Sequence, residues 1–286
     1  MAVALEGGAG RLARCWRLRR ADGVEVCATE HDRPLVIDGR TYEPSAALTP
    51  GELDQGGGSP GRTSLEGALG LGIDAVSSDD LILGRWDHAL VWLLVADWGN
   101  PGIWMQLWGG RIGRITQRGA AFELELEGLE AGLDKPVGRV FARSCDAVLG
   151  DSLCGVNLAL PQHSSEASLV AVETDRAIVI SATALAPGQL AGGTVRFASG
   201  LLAGTQWPLV AADAVAAGVR LTLGASLPLL PSIADSLRVS VGCDHSFRTC
   251  RDRFANGARF RGCPLMPGDD AVFAGPSASG NDGGRR

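Results

Sequence analysis

Four cysteines in two short segments carry the clearest chemical signal in this 286-residue chain. Cys145 and Cys154 bracket eight residues, including Leu149-Gly150-Asp151, and Cys243 and Cys250 bracket six, in Gly242-Cys243-Asp244-His245-Ser246-Phe247-Arg248-Thr249-Cys250. A zinc knuckle usually holds its two thiolates about two to four residues apart, because both must reach one small ion. These loops are longer. An iron–sulfur cluster spreads its Cys₄ donor set over separate metal corners and tolerates wider loops, so the spacing favours a cluster over zinc. Arg143, Arg248, Arg251 and Arg253 flank the cysteines and can offset the negative charge of a thiolate-bound group. Zinc stays open as the alternative metal, and the reading without metal is four small buried apolar residues.

Three cysteines remain of the seven: Cys15, Cys27 and Cys263. Met1-Ala2-Val3-Ala4-Leu5 lacks the basic and apolar regions of a secretory signal, so cytoplasmic synthesis and reduced thiols are expected. Cys15 and Cys27 lie on neighbouring predicted strands, as a reduced, half-buried pair. Glu30, His31 and Asp32 are three chemically capable residues in a row, but consecutive side chains point apart on an extended chain, so a structural turn is expected there.

The elements that must position these residues are strands. Glycine (40) and proline (14) are abundant, yet below the roughly 25–30% of low-complexity sequence, and 45% of residues are hydrophobic. Frequent turns between short apolar runs imply a mainly β fold with few short helices. Leu35-Val36-Ile37, Asp38-Gly39 and Thr41-Tyr42 read as a tight hairpin. Phe122, Leu124 and Leu126 alternate with Glu123, Glu125 and Glu127, as in a strand buried on one face. Further short strands are expected at Val170–Val172, Ala177–Ile180, Thr194–Phe197, Val219–Leu223 and Leu237–Val241. In the last of these, parity sends Cys243 to the core side with Leu237, Val239 and Val241. The best helix candidate is Thr249–Ala255, stopped by Asn256-Gly257. Trp86, Trp92, Trp98, Trp104 and Trp108 suit core packing or a subunit interface. Residues 50–61 read as a polar, Gly-rich loop.

The resulting organisation is a β-rich domain over 1–138, a first cysteine segment over 139–165, a second β-rich domain over 166–237, a second cysteine segment over 238–270 and a flexible tail over 271–286. The cysteines form a junction between the β modules. A net charge of −6 gives no basic field for nucleic acid, and the longest apolar run, Ala89 to Ala96, is far short of a membrane span. No nucleotide or flavin fingerprint supports redox enzymology, and no Cys/His or metal–histidine motif supports hydrolysis.

Ordered blocks along the chain carry a resemblance. Thr29-Glu30-His31-Asp32-Arg33, Ile37-Asp38-Gly39 and Thr41-Tyr42-Glu43-Pro44 resemble the N-terminal signature of the hub proteins of phage-like gene transfer agents and related tailed phages. Gly113 to Leu129, Cys145 to Cys154, Gly242-Cys243-Asp244 through Cys250, Phe254-Ala255-Asn256, Phe260-Arg261-Gly262 and Pro264-Leu265-Met266-Pro267-Gly268 resemble later blocks of the same family, so the likeness runs from Thr29 to Asp270. The cysteine spacings are also similar to those of the tail-tip L proteins of lambda-like phages, whose C-terminal domain carries an iron–sulfur cluster.

The resemblance implies tail-hub β-barrel or sandwich modules, the first of them hub- or tube-like, with a cysteine-ligated iron–sulfur junction. The implied cofactor is a 4Fe–4S cluster on Cys145, Cys154, Cys243 and Cys250, serving as a structural staple without catalysis. The implied function is a structural hub of the tail tip or baseplate of a virion-like particle made in a bacterial cytoplasm. It would form a homotrimeric ring linking the distal tail protein to megatron-like baseplate and receptor-contacting proteins. DNA would meet it only in passage through the channel, and no stable membrane insertion is expected. The rival readings are a particle-associated cell-wall hydrolase and an iron–sulfur redox protein. Two departures stand out: Cys263 replaces a common aromatic and could compete as a ligand, and His245 replaces a usual lysine, where its imidazole could ligate but is expected instead to be a loop residue or to support the ligands.

Overall fold

The computed structural model describes residues 11–45, 48–50, 62–68, 76–118, 121–128 and 138–266. The Gly-rich stretch 51–61 and the tail 271–286 lie outside the described residues. The chain divides into two compact units, residues 1–137 and 138–286.

The first unit is built on a nine-stranded sheet of β1 (Leu12–Arg19), β2 (Glu25–Thr29), β3 (Leu35–Ile37), β4 (Arg40–Pro44), β5 (Leu48–Pro50), β6 (Arg62–Ala68), β7 (Leu90–Asp97), β8 (Trp104–Arg118) and β9 (Ala121–Gly128). Their order is β3-β4-β2-β1-β7-β8-β9-β6-β5. Alternation in β1 sends Trp16 and Leu18 into one core, with Trp86, Leu93, Leu124 and Leu126, and Ala13 and Cys15 into another, with Leu35, Ile37 and Tyr42. Apolar side chains are therefore buried on both faces at the centre of the sheet, which is why β7 reads as a nearly continuous apolar run. The β3–β4 turn places Asp38 at φ 49° and Gly39 at φ 73°, the two left-handed positions of a type I′ hairpin. Short helix α1 (Ser78–Ile82) is capped by the Ser77 hydroxyl, which accepts from the Asp80 N–H.

The second unit contains a closed barrel of β10 (Ser164–Thr174), β11 (Ala177–Ile180), β12 (Thr194–Phe197), β13 (Gln206–Val215), β14 (Gly218–Leu223) and β15 (Ser236–Ser240), ordered β10-β11-β14-β13-β12-β15. Closure rests on β10. Its first half pairs with β15, its second half with β11, and a register shift between Leu169 and Ala171 turns the strand from one partner to the other. Inward residues Leu169, Ile178, Ile180, Val195, Phe197, Leu221, Leu237 and Val239 fill the interior with at most 1% exposure, so truncating one to alanine costs about 2–5 kcal/mol. Leu190 of α2 (Pro187–Leu190) is equally buried. The chain is thus mainly β with few short helices, and among the described residues no helix is long and apolar enough to cross a membrane.

Candidate functional site

Two segments flank the barrel in sequence and carry the cysteine set. In the first, Asp151 organises the loop: its carboxylate accepts the N–H groups of Val148 (3.0 Å), Leu153 (2.9 Å) and Cys154 (2.6 Å). Those bonds, the one from Cys154 foremost, hold its pKa below the ordinary carboxylate value. Leu149-Gly150-Asp151 is therefore a folding instruction for the loop between Cys145 and Cys154.

The second segment leaves β15 through Val241 and Gly242. Its helix α3 (Phe247–Asp252) begins two residues before the expected Thr249 and ends at Asp252, because the Ser246 hydroxyl caps it by accepting from the Thr249 N–H. Asp244 braces the approach, accepting from the Ser246 N–H and the Thr249 hydroxyl, each at 2.9 Å. Cys250 is buried on the inner face of this helix. Cys243 is only half-buried: β15 stops at Ser240, and the core-side parity of Leu237 and Val239 does not extend to it.

Cys145, Cys154, Cys243 and Cys250 line one recess, with Ala147, Leu149, Val156, His245, Phe254 and Phe260 among its other walls. The recess encloses about 350 Å³, part of it open to solvent. All four cysteines belong to the barrel's own unit, whereas the sequence reading set them at a junction between two modules. Burial pushes the Cys250 thiol up, and Cys145, Cys154 and Cys243 add to that shift. Burial also raises Cys243, partly offset by the His245 N–H that donates to its sulfur at 3.4 Å, and the neighbouring Asp244, Cys154 and Cys145 raise it further. The thiols thus sense one another across a shared space. Among the described residues, no group of three or more His, Cys, Asp and Glu side chains is arranged to hold a metal ion.

Three of the four arginines expected to neutralise the site are used elsewhere. Arg143 donates to the Met266 carbonyl, Arg251 pairs with Asp252, and Arg253 donates to the carbonyls of Gly242 and Gln189. Arg259 lines the recess instead, together with Asn256, whose side chain donates to the Cys154 carbonyl at 2.8 Å. Neither stood out in the sequence, where Asn256-Gly257 reads as a helix stop. Cys263 is not a wall of the recess, and its N–H donates to Ala142. Next to Cys145 in sequence, Asp146 is gripped by Arg139 and Arg261, and Arg139 also reaches the Arg261 carbonyl.

The remaining candidates are structural. The His31 Nδ1 accepts the Arg33 N–H at 3.1 Å within a turn, and its ring packs against Trp98 at 5.2 Å. Cys15 pairs in register with Thr29, and Cys27 with Arg17, so the two thiols are diagonal neighbours. Both are free, and burial raises both. Trp86 and Trp108 are core residues, whereas Trp98 and Trp104 are exposed.

Comparison with known proteins places this geometry. A family model described as baseplate hub protein, N-terminal attachment domain, matches residues 1–157, and one described as phage conserved hypothetical protein BR0599 matches residues 188–270. Among curated proteins, none matches the chain. A solved structure titled virion of native gene transfer agent (GTA) particle contains a chain 33% identical to this one, with a TM-score of 0.89, over 99% of this chain and 98% of that one. With the first family model spanning more than half of its length and a virion chain matching it end to end, the chain belongs to the baseplate hub proteins.

Proposed function

We propose that this structural tail and baseplate protein is the hub of a tail tip, a homotrimeric ring joining the distal tail protein to megatron-like baseplate and receptor-contacting proteins, with DNA passing through its channel. The observation that carries the reading is the end-to-end likeness to a chain of a gene transfer agent virion. Closed cyclic symmetry suits a protein that must sit on a tail axis, and a lumen without a dense arginine cluster would not hold passing phosphates. No catalytic step is assigned to any residue.

The recess fits an iron–sulfur cluster. Its donor set is four thiols, its walls are mainly apolar, and N–H groups of His245 and Asn256 are directed at Cys243 and Cys154. Four thiols lining one mainly apolar recess, from loops wider than a zinc knuckle's, suit a Cys₄-ligated cluster better than a zinc ion. When bound, the cluster would supply covalent cross-links from Cys145 and Cys154 to Cys243 and Cys250. The chain's own contribution is to present these thiols from two segments on opposite sides of the barrel sequence, so that ligation closes a long loop and opposes its unfolding. Anaerobically purified chain should be brown, with about four irons and four labile sulfides per chain. Colourless protein with stoichiometric zinc would overturn the cluster. Particles carrying Cys154→Ser should be tailless or tip-defective, and peptidoglycan cleavage by the isolated chain would overturn the structural role.

A further inference from the structure

We propose that the cysteine recess is assembled by protein hydrogen bonds before metal enters it, with His245 and Asn256 as its two positioning residues; this rests on reading the recess as a cluster site. Each residue holds one cysteine of each segment. The His245 Nδ1 donates to the Cys145 carbonyl at 3.0 Å, the Cys145 N–H returns a bond to the His245 carbonyl at 2.9 Å, and the His245 N–H donates to the Cys243 sulfur. Asn256 does the same for the other pair. Its side-chain amide donates to the Cys154 carbonyl at 2.8 Å and lies 3.8 Å from that sulfur, its N–H donates to the Cys250 carbonyl at 2.9 Å, and its own carbonyl accepts from the Cys250 thiol at 3.3 Å. All four cysteines are thus held by two residues that are not themselves ligands: their side chains reach Cys145 and Cys154, and their backbone groups reach Cys243 and Cys250.

The backbone supports the same assignment. His245 adopts φ 57°, and Ala255, immediately before Asn256, adopts φ 49°. A residue with a β-carbon is disfavoured there, and such strain persists where surrounding bonds enforce it. The clasps are also long-range, joining residues 100 and 102 positions apart, so they form only when both segments have docked beside the barrel. A site of this kind differs from a zinc finger, whose loops are unfolded until metal arrives.

The test uses the full chain freed of iron with a reductant and a chelator. Hydrogen exchange should find the Cys145 and Asn256 amides protected without metal, and dibromobimane should cross-link a cysteine of the first segment to one of the second. His245→Ala should speed Cys145 exchange about tenfold and slow cluster reconstitution, while barrel amides such as those of Ile178 and Leu221 stay protected and report that the unit still folds. His245→Asn, which tolerates positive φ and carries an N–H donor, should restore both. Unprotected Cys145 and no inter-segment cross-link in the iron-free wild-type chain, with both gained on reconstitution, would overturn the proposal. A protected, cross-linkable recess in a chain that never takes up iron and sulfide would uphold the clasps and overturn the cluster reading instead.

Discussion

Replacing Gly242 by alanine puts the link between barrel and cysteine segment under direct strain. A β-carbon there would lie 1.8 Å from the Ala191 carbonyl oxygen, 2.5 Å from the Gly192 carbonyl carbon and 2.6 Å from that of Ala191. All three are backbone atoms, so no rotamer change relieves the clash, and the 189–192 turn and the 241–243 segment must separate. Two hydrogen bonds cross that seam, the Gly242 N–H to the Gln189 carbonyl at 2.8 Å and the Arg253 guanidinium to the same carbonyl at 2.9 Å, and a second Arg253 bond, to the Gly242 carbonyl at 3.1 Å, ties the guanidinium to the segment. Overpacking costs about 1–3 kcal/mol, and weakening one of these bonds adds about 1 kcal/mol, so Gly242→Ala should destabilise the second unit by about 2–4 kcal/mol. For a domain of this size that lowers its calorimetric transition by about 4–16 °C. Iron retention should fall with it, because Cys243 is the next residue. Gly188, in the first turn of α2 with nothing within 4 Å of its β-carbon position, is the control, and Gly188→Ala should be neutral or stabilise by up to about 1 kcal/mol. A Gly242→Ala chain that melts within 1 °C of wild type and keeps its iron would refute the reasoning.

Other predictions follow from the same unit. Arg261 first, then Arg139, holds the Asp146 carboxyl at about 2 against an ordinary 3.8, so its ion pairs stabilise the fold above about pH 4 and that contribution is lost as pH falls through about 2. The melting-temperature gap between wild type and Asp146→Asn should therefore be constant near neutrality and close between about pH 4 and pH 2; a gap that widens on acidification would contradict this. Asp151→Ala should release the amides of Val148, Leu153 and Cys154 to fast exchange while leaving β10–β15 unchanged, because the carboxylate is their shared acceptor. Cys263→Ser should keep wild-type iron content, whereas Cys154→Ser should lose it; equal loss from both would show that Cys263 is a ligand.

Local features were legible in the chain wherever local chemistry governed them. The Asp38-Gly39 hairpin and the Phe122, Leu124, Leu126 alternation need only turn sterics and a period of two, and both stand as read. Strand β13 was missed because Pro208, a run of alanines and a register shift between Leu209 and Ala211 erase its alternation. The start of α3 was displaced because apolar spacing was weighed above the Ser246 cap. The cysteine set was identifiable from residue type, spacing and resemblance, but its surroundings were not. Arginines near a cysteine in sequence were assumed to face it, and the guanidinium groups of Arg143, Arg251 and Arg253 instead serve backbone carbonyls and Asp252. Asn256 acts on a cysteine 102 residues away, a pairing that only the closed barrel brings about.

The most direct measurement is electron cryo-microscopy of the intact particle, reconstructed at the tail tip. The account predicts three copies of this chain in a ring on the tail axis, with density for a cluster joined to the sulfurs of Cys145, Cys154, Cys243 and Cys250 in each. Particles whose tail-tip ring is built from another protein, or a ring of this chain whose four cysteines surround solvent, would contradict it.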